Sequence, residues 1–289
     1  MRPLLFVAAA LALASCLRAE TLAFQQGSWL CIAEADGTKV RKIVKGVCPD
    51  ISTDGTRIAF NTEDADGQRH IAFVDVASKK VTLVPNIPSD NCFGPVWSPD
   101  GQRLAFSIFL ENKWFLARIA ADGTDLKIFR GDSPKADELW VPCWAADGKT
   151  LFCHGLEEVF QLDLDGKTLQ KWPISEISPK GGMNSGSNLS ATADGKSLIV
   201  DLDMDENFER KDWDGPPPAV WSFDLESGKG RRLSPPGTFE WSPRATPFGG
   251  ILCLGLPKGT TKPAIYQLSG VGAQRTLLLR DASSPSLSR

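Results

Sequence analysis

Four Asp-Gly pairs recur at a nearly constant step, and that spacing constrains the fold more than any other feature of the chain. They begin at Asp54, Asp100, Asp147 and Asp194, so the steps are 46, 47 and 47 residues. Each pair lies in a similar frame: Pro49 to Phe60, Pro95 to Phe106, Pro142 to Cys153 and Asn188 to Val200 all read as an extended run, the turn, then a second apolar run. Gly takes positive φ freely and Asp bonds the turn's own backbone, so Asp-Gly suits a tight hairpin. A fifth copy is degenerate, with Trp241-Ser242-Pro243 followed by Gly249-Gly250 before Ile251.

Downstream of each hairpin comes a third alternating run, such as His70 to Asp75 or Phe115 to Ala120, then a second turn and a fourth run, such as Leu126 to Phe129. Four strands and two turns in about 46 residues is the arithmetic of a propeller blade. The ends supply the last blade. Thr21 to Gln25, Trp29 to Ala33 and Val40 to Val44 read as second, third and fourth strands without a first, and the tail Ser284 to Ser288 reads as an orphan first strand. The spacing of 46 residues from Trp241 to Leu287 supports closure by this tail. The expectation is a single all-β domain over 20–289, a six-bladed β-propeller of four-stranded antiparallel blades closed by the C-terminal strand joining the N-terminal blade. Trp97, Trp144 and Trp241 are placed at one repeat position, packing between blades.

The run Trp97-Ser98-Pro99-Asp100-Gly101 with Leu104-Ala105-Phe106 resembles the signature repeat of TolB-type propellers. The resemblance covers nearly all of 20–289 and is specific for the repeat rather than for a function. The α/β domain that precedes the propeller in TolB has no counterpart expected in this chain, so the family's role is not carried over whole.

Arg2 and the apolar run 4–13 read as an export signal occupying 1–19. Leu13-Ala14-Ser15-Cys16 resembles a lipobox that would put a lipid on Cys16, whereas Leu17-Arg18-Ala19 suits ordinary cleavage before Glu20. Either route takes the protein out of the cytoplasm, to a periplasmic or extracellular setting, with the membrane reached only through the Cys16 anchor. Export permits disulfides. Cys31, Cys48, Cys92, Cys143, Cys153 and Cys253 nevertheless sit mostly in apolar runs with no CxxC, the pattern of small buried hydrophobes; Cys143 with Cys153 and Cys48 with Cys92 are the pairs to test.

A formal charge of −3 and the absence of a basic stripe exclude nucleic acid as a partner. Two histidines, His70 and His154, with no Gly-x-Ser-x-Gly elbow give no catalytic constellation. Binding is therefore the expected mode, to an envelope protein or peptide, with an oligosaccharide as the alternative and a carbohydrate-active propeller its enzymatic form. In a propeller the turns between strands one and two share a face with those between three and four, and here these are short. The segments 61–69, 85–94, 130–141, 172–187 and 203–218 fall on the opposite face and are long and diverse, which marks it as the binding surface. Within it Trp140, Trp172 and Trp213 are candidate anchors, and Asp203, Asp205 and His154 candidate polar contacts. Asp201, Asp203 and Asp205 alternate, so their carboxylates share one side of a strand, a weak Ca²⁺ candidate against the plainer reading of a solvated strand end; no other cofactor or metal is expected. The Gly-rich 181–187 reads as a linker between blades four and five.

Overall fold

A computed structural model describes residues 20–130, 139–206, 213, 215–269 and 274–288. Cys16 and the export signal lie outside the described residues. In chain order, blade 1 holds β1 (Thr21–Gln26), β2 (Trp29–Glu34) and β3 (Arg41–Lys45). Blade 2 holds β4 (Val47–Ile51), β5 (Arg57–Glu63), β6 (Arg69–Asp75) and β7 (Val81–Leu83). Blade 3 holds β8 (Cys92–Trp97), β9 (Arg103–Leu110), β10 (Lys113–Ala120) and β11 (Lys127–Phe129). Blade 4 holds β12 (Trp140–Trp144), β13 (Thr150–His154), β14 (Glu158–Asp163) and β15 (Thr168–Pro173), followed by the one-turn helix α1 (Ile174–Ile177). Blade 5 has a split inner strand, β16 (Gly181–Gly182) and β17 (Leu189–Ala191), then β18 (Ser197–Met204), β19 (Pro218–Asp224) and β20 (Gly230–Arg232). Blade 6 holds β21 (Glu240–Ala245), β22 (Ile251–Gly255), β23 (Ala264–Ser269) and β24 (Gln274–Arg280). The last strand, β25 (Ser283–Leu287), pairs antiparallel with β1 and completes blade 1. The Ser288 N–H donates to the Thr21 carbonyl and the Thr21 N–H to Ser288 Oγ, so the C-terminal strand closes the ring and covers the edge of β1.

The second strands explain why the blades stack. Their residues alternate between two covered faces, which is why they read as continuous apolar runs instead of an apolar/polar alternation. Ile58 and Phe60 pack with Leu30 and Ile32 of blade 1, while Ala59 between them packs with Leu104 and Phe106 of blade 3. Leu151 and Cys153 face blade 3 and Phe152 faces blade 5; Leu252 and Leu254 face blade 1 and Cys253 faces blade 5. Six such apolar clusters fill the six junctions between blades. This alternation also separates Cys143 from Cys153, which belong to different junctions, and all six described cysteines are free thiols.

The predicted turns form. Gly55, Gly101, Gly148 and Gly195 have φ of +66° to +68°, and in each turn the Asp carboxylate accepts the N–H two residues on, at Thr56, Gln102, Lys149 and Lys196. Trp97 and Trp144 pack between blades as expected. Trp241 does not share their position. The pair Ser242-Pro243 is an inner-strand bulge, equivalent to Val141-Pro142, and the turn of blade 6 runs from Thr246 to Gly250. Ala245 therefore occupies the Trp97 position, Trp241 aligns with Trp140, and the step to Leu287 is 42 residues rather than 46 (287 − 245).

The same bulge recurs in five inner strands. Cys48, Gly94, Val141, Ser242 and Ser284 all have φ between +49° and +64°, and each precedes a proline. An extra residue on the inner strand bends it and re-aims the side chains that follow. The residue after each proline then faces its neighbour around the central channel. The Trp97 N–H donates to Asp50 Oδ2 at 2.8 Å, the Ile51 N–H to Ser286 Oγ at 3.1 Å and the Ala191 N–H to Cys143 Sγ at 3.2 Å. In blade 5, which lacks the proline, Ser190 Oγ takes the same role toward the Ala245 N–H at 2.9 Å. These side chains satisfy inner-strand donors that have no further strand to pair with.

Candidate functional site

The five bulge residues, with the 185–188 segment of blade 5, help line one cavity of about 440 Å³ at the channel mouth on the long-loop face, to which all six blades contribute. Its lower wall is proline-rich, with Pro49, Pro95, Pro142 and Pro285, so it presents few N–H donors. Around the rim stand Phe93, Trp114 and Trp140, with Arg69 and Arg244 supplying charge. A smaller chamber of about 180 Å³ opens toward the Asp-Gly face, and Arg244 lines both spaces, so it sits at the waist of the channel.

Arg69 opens β6 and is held in place. Its Nε and Nη2 donate to Asn91 Oδ1 at 3.0 and 2.5 Å, and its guanidinium lies 5.4 Å from the Phe93 ring centroid and 5.7 Å from that of Trp114. Phe93 is 40% exposed, unusual for a large apolar side chain fixed this way. Asp50, in the lower chamber, is buried; burial pushes its carboxyl up, while the Arg244 charge and the bonds from Trp97 and Ser286 pull it partway back.

The residues singled out from sequence divide between the cavity and the packing. Trp140 lines the cavity, half-buried, with its ring 5.9 Å from that of His154. His154 itself is fully buried behind it: Nδ1 lies 3.0 Å from the Gly155 carbonyl and Nε2 2.9 Å from that of Ser187, and burial lowers its pKa, so it braces the wall rather than meeting a ligand. Trp172 is 5% exposed and packs against Phe152 and Phe223 in the junction of blades 4 and 5, which corrects its placement as a surface anchor. The fourth strand of blade 4 is covered there by α1 and blade 5, a contact between elements that one-dimensional spacing does not show. Trp213 stands outside the cavity, against Phe239 and Trp241, with Nε1 donating to the Pro216 carbonyl.

The three aspartates do not converge. Asp201 is buried and its Oδ1 accepts the N–H groups of Asn188 and Ser242, bridging blades 5 and 6; burial raises its pKa to about 7. Asp203 accepts from Asn184 Nδ2 at 2.7 Å, and Asp205 is exposed. Among the described residues no group of three or more His, Cys, Asp or Glu could hold a metal ion, so the Ca²⁺ candidate fails on geometry: the first carboxylate is already used as a structural acceptor. The Gly-rich 181–187 is not only a linker, since Gly181–Gly182 pairs with β18 and Ser185 and Gly186 reach the cavity wall. His70 closes a loop by its Nε2 contact with Asp64 Oδ2 at 3.0 Å.

Sequence reasoning passed over Arg69, Phe93, Trp114 and Arg244. A signal for three of them exists. Arg69 and Trp114 both begin or nearly begin a third strand, and Phe93 precedes a bulge residue, so all three flank the inner channel in the repeat frame.

No protein-family profile and no curated protein matches the chain. Solved structures do. It superposes on TolB from Acinetobacter baumannii with a TM-score of 0.68 at 17% identity, covering 93% of this chain and 66% of that one. A putative TolB from Agrobacterium tumefaciens gives 0.67 at 15% identity, covering 91% and 89%. The nidogen/laminin complex gives 0.68 at 8% identity, covering 93% of this chain and 98% of that one. At these identities the likeness is one of fold: the chain is a six-bladed β-propeller, closed by its terminal strand, whose fold is similar to that of the TolB propeller.

Proposed function

We propose that this chain is a non-catalytic, exported propeller that binds a protein or peptide partner in the cell envelope through its long-loop face and channel mouth. The observation that carries this reading is the cavity of about 440 Å³, shared by all six blades and rimmed by Phe93, Trp114 and Trp140. Its size falls in the range of ligand pockets, and aromatic side chains at the mouth of a recessed site, Trp above all, are the residues from which binding hot spots are made. The nidogen/laminin structure contains a propeller of like fold in a complex, which supports protein binding as a use of the architecture. Export rests on Arg2 and the apolar run 4–13, with Cys16 as the alternative anchor point.

A carbohydrate ligand is the second reading, favoured by the indole faces of Trp114 and Trp140. Its enzymatic form lacks support, because the candidate polar contacts Asp203 and Asp205 lie away from the cavity. The test is capture from envelope extract by the full chain, run beside a polysaccharide array, with Trp140→Ala as control. A protein retained by the parent and lost by the variant supports the reading; binding confined to glycans, or retained protein indifferent to Trp140, overturns it. Palmitate labelling compared with Cys16→Ser tests the anchor.

A further inference from the structure

We infer that the channel mouth accepts an anionic peptide segment, its carboxylate directed to Arg244 and Arg69 and its apolar side chains to Trp114 and Trp140. This rests on the reading of the mouth as a peptide site and adds the charge of the ligand.

The carrying observation is a local reversal of charge. The chain has 35 acidic against 32 basic residues, yet the cavity wall, among the described residues, holds two arginines and no Asp or Glu. Arg69 is oriented by a neutral partner, the Asn91 amide oxygen, and by two rings, contacts that fix the guanidinium without neutralising it. Arg244 is half-buried at the waist, and among the described residues its side chain makes no hydrogen bond or ion pair. The carboxylate that feels its charge, Asp50, belongs to the lower chamber and already accepts the Trp97 N–H and the Ser286 hydroxyl.

An unpaired guanidinium in a recessed site favours an incoming anion, since a carboxylate matches its fork and supplies the missing countercharge. The proline wall strengthens this preference. With few backbone N–H groups presented, the arginines are the principal donors a ligand anion meets, while the prolines and rings suit an apolar body. A carboxylate reaches such a site from two sources, a free C-terminus or an Asp or Glu side chain.

The experiment titrates the full chain against a panel of dodecapeptides, each sequence made in three forms: neutral with a free C-terminal carboxylate, neutral with a C-terminal amide, and amidated with internal Asp or Glu. Binding confined to the carboxylate-bearing forms is expected, and the first and third forms tell the two sources apart. Arg244→Gln and Arg69→Gln should each weaken binding about 10- to 100-fold, the loss of a hydrogen bond to a charged group. Raising the ionic strength around the unsubstituted protein should weaken binding as well, a measurement that needs no variant to fold. Peptides that bind whatever their charge, with affinity indifferent to salt but lost in Trp140→Ala, overturn this inference and leave peptide binding standing. Failure of every form to bind overturns this inference, while the wider protein-binding reading stands or falls on the envelope capture.

Discussion

The carboxylate of Asp50 accepts the main-chain N–H of Trp97 at 2.8 Å across the boundary between blades 2 and 3. Ser286, Cys143 and Ser190 do the same at three other boundaries, so a single repeat position links inner strands around the channel. Asp50→Ala should therefore lower stability by about 1–3 kcal/mol, because it leaves a buried donor without a partner. Asp50→Asn keeps an acceptor and should cost less. Urea denaturation of the two variants checks the order.

Asp201 sets a pH dependence of unusual sign. Its folded pKa of about 7 lies above the ordinary value of 3.8, so between those limits the native state holds a proton that the unfolded state releases. Stability from this group is full below pH 4 and declines as pH rises toward 7, by as much as about 4 kcal/mol. Asp201→Asn retains the oxygen that accepts from Asn188 and Ser242 while removing the charge. The variant should be more stable than the parent at pH 8 and should lose most of that advantage at pH 4, as read from denaturant midpoints at the two pH values.

Removing 283–289 deletes β25 and exposes the edge of β1. The truncated chain should lose more than about 3 kcal/mol, given the several hydrogen bonds and apolar contacts that end. It should also aggregate through the opened edge. Thermal melting with light scattering measures both.

Val141 holds a β-branched side chain at φ +49°, where Gly94 stands in the preceding blade. Val141→Gly relieves that strain and should raise stability by about 0.5–1 kcal/mol despite the greater freedom of the unfolded chain. A lower midpoint would show that the valine side chain contributes more to the cavity wall than its backbone costs.

Trp140 and Trp172 separate binding from packing. Trp172→Ala empties a junction between blades and should cost about 3–5 kcal/mol. Trp140→Ala should stay within about 1 kcal/mol of the parent and lose partner binding. Melting curves and the capture assay, run on both variants, test the division.

The repeat spacing of Asp54, Asp100, Asp147 and Asp194 was enough to specify blade size, turn chemistry and the face carrying the long loops, because hairpins are local and their signals lie within a dozen residues. Closure was legible too, although the spacing from Trp241 that supported it mismatched two repeat positions. Ser242-Pro243 reads like the turn pair Ser98-Pro99, and only strand pairing shows it to be a bulge. The membership of the candidate site was decided by tertiary structure. Arg69, Trp114, Trp140 and Arg244 are far apart along the chain, and they meet because ring closure sets the blades around one axis, with Arg69 and Trp114 at the starts of third strands and Trp140 and Arg244 on either side of inner-strand bulges. Sequence order records neither the closing of the ring nor the direction of a side chain after a bulge. For the same reason Trp172 and Asp201, which read as surface residues, are held inside the joints between blades.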